Sequence, residues 1–107
     1  MVDVNFLEAM LESGQDNALV RFTLGTAFIR HKKYREAAEH LAVAVAMDPG
    51  YSAAWKAYGN ALAKSDQTGA AVEAYRQGIM TAEEKGDIQA AKEMKVFLKR
   101  LQKTGGT

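Results

Sequence analysis

Apolar residues recur along this chain at steps of three and four. Val20, Leu24, Ala27 and Phe28 form one run, and Ala37, Leu41, Ala44 and Val45 a second. Ala54, Tyr58, Ala61 and Leu62 form a third, followed by Ala71, Ala74, Tyr75, Gly78 and Ile79. The step is the helical period, not the alternation of a strand. Polar or turn-forming segments separate the runs: His31-Lys32-Lys33, then Asp48-Pro49-Gly50, then Ser65 to Gly69. The last run, Ile88, Ala91, Met94, Phe97, Leu98 and Leu101, backs onto a basic face of Lys92, Lys95, Lys99, Arg100 and Lys103. The pattern predicts helices throughout, with Asp66 or Thr68 as the cap of the helix that follows the Ser65–Gly69 break.

The runs repeat. The shift that carries Gly25 onto Gly59 also carries Ala27 onto Ala61, Ala37 onto Ala71 and Glu39 onto Glu73. Apolar character survives elsewhere, with Leu24 over Tyr58, Phe28 over Leu62 and Val45 over Ile79. Glycine inside a helix costs about 1 kcal/mol against alanine. A cost incurred twice at one repeat position implies that two helices approach there too closely for a side chain, with Ala37 and Ala71 as the expected small partners.

These residues resemble the tetratricopeptide repeat, whose pattern is Trp-x2-Leu-Gly-x2-Tyr, then Ala-x3-Phe, then Pro, at a period of roughly 34 residues. The second unit reads Trp55-x2-Tyr58-Gly59-x2-Leu62, then Ala71-x3-Tyr75. The first reads Leu24-Gly25-x2-Phe28, then Ala37-x3-Leu41, then Pro49. Arg21 stands where the tryptophan would be, Gly78 replaces an alanine, and Glu83 replaces the closing proline. Without that proline the second-unit helix is expected to run through Thr81-Ala82-Glu83-Glu84 and stop at Lys85-Gly86, with Gly86 left-handed. The resemblance implies an all-α fold, a right-handed α-solenoid of antiparallel helix pairs with about six helices. Its expected parts within a single domain, residues 1–107, are a half-repeat helix over 3–13 capped by Asp3, repeats over 18–51 and 52–85, a capping helix over 87–103 and a tail over 104–107. Solenoid ends need such caps, because an uncovered repeat exposes the face its neighbour would bury. The whole resembles the short stand-alone tetratricopeptide proteins of bacteria.

In that family the first helices of successive pairs line a concave groove. Rotating away from the core stripe gives the expected groove residues. They are Leu19, Phe22, Thr26 and Ile29 on the first unit, Ala53, Lys56, Asn60, Ala63 and Lys64 on the second, and Ala90, Met94 and Phe97 on the last helix. Met94 and Phe97 also belong to the last helix's apolar stripe, and Leu19 and Phe22 fit the core as well as the groove. Such a strip favours a peptide or helical segment of another protein, anchored by burial and oriented by Lys56 and Asn60. Lys56 and Asn60 also resemble part of the carboxylate clamp of tetratricopeptide co-chaperones, which holds a C-terminal carboxylate. The alternative is assembly, with the solenoid ends pairing into a homodimer or docking on a larger complex through Phe6 and Leu7 or Phe97 and Leu98.

Composition narrows this further. The chain has 107 residues, 48% of them hydrophobic and 25% charged, with a net charge of +1. No global field recruits nucleic acid or an acidic membrane. There are no cysteines, which removes disulfides and thiolate chemistry. His31 and His40 lack the spacing of a metal-binding helical pair, and no glycine-rich phosphate loop or nucleophile–base arrangement is present, so the expectation is neither an enzyme nor a metal or cofactor binder. Trp55, Tyr58 and Tyr75 occupy repeat positions that assign them to the core rather than to base stacking. The first residues lack a signal-peptide pattern or myristoylation glycine, and no apolar run approaches a membrane span. A cytoplasmic location is expected.

Overall fold

The computed structural model describes residues 4–105. Six α-helices follow one another: α1 (Val4–Glu12), α2 (Ala18–Arg30), α3 (Tyr34–Met47), α4 (Ser52–Lys64), α5 (Thr68–Glu84) and α6 (Ile88–Gly105). No strand occurs among the described residues. The expected cap Asp3 lies outside them. Each helix packs on the next in the chain, and α4 also touches α2 and α6. The first helices of the pairs therefore stack side by side, as in a solenoid.

Four helix ends share one turn. Gln15, Lys33, Gln67 and Asp87 each donate their backbone N–H to a carbonyl five residues back, at 2.8, 2.9, 2.9 and 2.8 Å. The residue before each donor is left-handed: Gly14, Lys32, Asp66 and Gly86, with φ of 92°, 60°, 63° and 75°. This bond closes the last turn and reverses the chain. Gly86 thus does what the sequence implies. Asp66 does not cap α5, and neither does Thr68: Asp66 is used in the turn, Gln67 holds the cap position, and no side chain bonds to the α5 N-terminus. Two other caps do form. Asn17 Oδ1 accepts from Val20 N at 2.9 Å and Asp87 Oδ1 from Ala90 N at 3.2 Å.

The repeated glycines make room for a large neighbour. A Cβ on Gly25 would collide with the Leu41 side chain, and one on Gly59 with the Tyr75 ring. Ala37 and Ala71 are fully buried but are not the atoms over the glycines. The side chain one turn further along the second helix fills each notch. Gly78 is a third such notch, covered by Met94 of α6 and the Cβ of Trp55. Leu24, Leu41 and Met94 are the largest fully buried side chains. Tyr75 is buried, while Trp55 and Tyr58 are half-buried. The Trp55 indole donates to the Pro49 carbonyl at 2.8 Å.

The last helix departs from the expected boundaries. It continues through Thr104 and Gly105, so only residues 106–107 of the expected tail remain, and these lie outside the description. Ile88 is not in its apolar stripe but 65% exposed. The register of α6 differs as well. α4 begins at Ser52, one repeat interval after the start of α2 at Ala18, but α6 begins at Ile88, two positions beyond the next interval. α5 has 17 residues where α3 has 14, and the connection that follows it is one residue shorter.

Candidate functional site

A slip of two residues turns a helix by more than half a revolution. The residues expected in the groove from α6 by the repeat spacing therefore do not reach it together. Met94 is fully buried over Gly78 and Ala90 is buried beside it, so neither lines a surface. The groove side of α6 is marked instead by Glu93, Phe97 and Arg100. Glu93 Oε1 accepts from Lys56 Nζ at 2.7 Å, and Phe97 and Arg100 line a pocket with residues of α4.

That pocket encloses about 420 Å³. Ile29 of α2, Asn60, Ala63 and Lys64 of α4, and Phe97, Arg100 and Leu101 of α6 line it, with Tyr34 and Tyr75 from the second helices. It gathers five of the sequence-derived groove residues: Ile29, Asn60, Ala63, Lys64 and Phe97. The others lie elsewhere. Phe22 packs on Tyr51 with ring centroids 4.9 Å apart and adjoins the cluster of Ala44, Val45 and Ala54. Thr26 is half-buried and donates its hydroxyl to the Thr23 carbonyl at 3.0 Å. Leu19 and Ala53 are exposed.

The polar groups of the pocket are positioned by burial. Tyr75 is buried and stands 6.0 Å from Phe97, ring centroid to ring centroid. Burial pushes its phenol up to about 12, so the hydroxyl stays protonated and donates to Asn60 Oδ1 at 2.5 Å. The Asn60 amide is thereby oriented, and its two N–H donors have no partner among the described residues. Lys64 and Arg100 likewise have no carboxylate within ion-pair distance among those residues.

Lys56 is different. Its ammonium already holds Glu93, and Gln89 Nε2 donates to the other oxygen of the same carboxylate at 3.3 Å. These bonds, Lys56 first, hold the Glu93 carboxyl below the usual range. The lysine that resembles a clamp residue is thus occupied from within the chain.

A second polar cluster lies where the first unit lacks its tryptophan. Arg21 donates to both Asp16 oxygens at 2.8 Å and through Nη1 reaches His40 Nδ1 at 3.1 Å. His40 stacks on Phe28, with ring centroids 5.5 Å apart. Burial, then the Arg21 cation, lowers the His40 pKa, which keeps Nδ1 free to accept. The hydrogen bond from Arg21 holds the Asp16 carboxyl below its ordinary value. No group of three or more His, Cys, Asp or Glu able to hold a metal occurs among the described residues. No described helix is long and apolar enough to cross a membrane.

The repeat spacing left Tyr34, Tyr75, Arg100 and Leu101 out of the lining of this pocket, and Glu93 out of the surroundings of Lys56. The absent proline at Glu83 was the available signal, since a longer α5 must shift whatever follows it.

Known proteins share this architecture. A solution structure of a protein from Bordetella parapertussis is 41% identical, superposes with a TM-score of 0.81, and covers 96% of this chain and 90% of its own. A tetratricopeptide repeat domain protein from Salinibacter ruber, 22% identical, shares the fold at a TM-score of 0.77 over 86% of this chain and 93% of its own. A TPR repeat-containing protein of Pseudomonas aeruginosa is 47% identical over 95 residues, which is 89% of this chain and 90% of that protein. The family model described as tetratricopeptide repeat matches residues 28–94. Notched helix pairs, a shared fold and this level of identity together show that the chain belongs to the tetratricopeptide repeat family, a generally non-enzymatic fold whose members mediate protein–protein interaction.

Proposed function

We propose that this protein binds a peptide or helical segment of another protein on the face formed by α2, α4 and α6, and that the pocket between Ile29, Ala63, Phe97 and Leu101 takes its anchoring side chain. The observation that carries this reading is the pocket itself: aliphatic and aromatic walls beside an oriented, unpartnered amide at Asn60. Apolar burial supplies affinity in such a site, and a few placed polar groups supply direction. The volume of about 420 Å³ accommodates one or two large side chains.

The test begins with peptides selected from a random display library against the intact chain. Ala63→Trp fills the pocket from a half-buried wall position and is expected to weaken the selected peptides by about a hundredfold, the scale of a lost anchor in a buried pocket. Amide shifts on titration should map to Ile29, Asn60 and Phe97. Unchanged affinity in Ala63→Trp would remove the pocket from the function.

The assembly reading keeps one supporting observation. Phe6 at the N-terminal end is 63% exposed. Leu7 is buried, and Phe97 and Leu98 pack into the α5–α6 cluster. Light scattering over a concentration series tests the homodimer form of this reading, since a constant monomer mass excludes self-association but not docking on a larger complex.

A further inference from the structure

Charge is unevenly distributed around the pocket. Its mouth carries Lys64 and Arg100, both exposed and both without an ion-pair partner among the described residues. Tyr34 and Lys64 also line an adjoining depression of about 380 Å³ at the turn between α2 and α3. Lys32, Lys33 and Arg35 stand there with only Glu36 and Asp66 as carboxylates, and none of these three cations is ion-paired among the described residues. Glu93, the acid on the groove face of α6, is neutralised by Lys56. This end of the groove therefore presents several cations in excess, although the chain as a whole carries only +1. Such a local field attracts and orients an oppositely charged ligand even when the net charge is small.

We infer that the segment bound in the pocket is acidic: an apolar anchor flanked by aspartates or glutamates that run from Lys64 and Arg100 towards the α2–α3 turn. This rests on the groove reading above and adds the chemistry and direction of the partner. The cations recognise carboxylates at the rim while the apolar walls take the anchor. Single-stranded nucleic acid fits the same charge but not the same walls. Ile29, Ala63 and Leu101 are aliphatic, and Phe97 already packs on Tyr75, so Tyr34 alone among the lining residues offers an open ring, where single-stranded binding uses a series of aromatic faces for successive bases.

The library selection tests this directly. The enriched peptides should carry two or more acidic residues beside a large apolar one. Charge reversal in Lys64→Glu/Arg100→Glu is expected to weaken them by about tenfold or more, whereas the same reversal at exposed Arg76, which lines neither depression, should change affinity by less than about twofold. Lys64→Gln/Arg100→Gln gives a milder loss of the same sign and serves if the reversed variant does not fold. Neutral or basic peptides that depend on Ala63 but ignore both double variants would overturn the acidic partner and leave the groove reading intact. Peptides indifferent to Ala63→Trp would overturn both. A fluorescent dodecamer of thymidylate that displaces the peptides at equal concentration would overturn the peptide in favour of nucleic acid.

Discussion

Gly25, Gly59 and Gly78 each accept the propensity cost of a helical glycine because a neighbour occupies the space of the missing Cβ. The effect of restoring that carbon depends on whether the neighbour yields. At Gly59 the neighbour is the Tyr75 ring, buried and tied to Asn60. Gly59→Ala gains about 1 kcal/mol of helix propensity but meets an overpacking cost of about 1–3 kcal/mol. A net loss of about 1 kcal/mol is expected in urea unfolding. Gly69 is the control. It lies in the first turn of α5, and an added Cβ would meet nothing within 4 Å. Gly69→Ala should stabilise by about 0.5 kcal/mol. If both substitutions stabilised, the notch at Gly59 would have no steric role.

Between elements, Arg21 of α2 ties the Asp16 segment to His40 of α3. Because the His40 pKa is lowered in the fold, first by burial and then by Arg21, the unfolded chain binds the extra proton more readily. The contribution to stability is complete above pH 6.5, the ordinary histidine value. It is lost as pH falls through the lowered folded value. The lowered Asp16 pKa has the same sign but acts only near and below pH 3.8. Urea midpoints should therefore fall in the parent between about pH 7.5 and about pH 5.5. They should fall less in His40→Gln, which keeps an acceptor for Arg21 but does not titrate. Equal slopes in the two proteins would show that His40 is not linked to folding.

Over the whole molecule, packing runs between neighbours along an axis of 43 Å. Stability in such an array is uneven, because helices along it differ in how many neighbours they pack on. α1 packs on α2 alone, and Leu7 is its one buried residue among those described. α4 touches α2, α3, α5 and α6. Native-state hydrogen exchange should show α1 amides opening well below the global unfolding free energy and α4 amides opening only with it. Equal protection in the two helices would contradict this.

The helices, their pairing and the notches at Gly25 and Gly59 were legible in the sequence because each depends on local spacing. Period three-and-four buries one face, and a glycine that returns at the repeat interval marks a contact that returns with it. The far end of the groove was not legible in the same way. Its composition depends on the rotation of α6 about its own axis, which follows from a longer α5 and a shorter connection, and on which long side chain settles over Gly78. Met94 was therefore equally at home in core and groove by spacing, and only packing turned it inward. The same packing paired Lys56 with Glu93, 37 residues away, and left Lys64 and Arg100 at an open mouth. Local periodicity determines which residues become helix. The register of one helix against another decides which of them meet a partner.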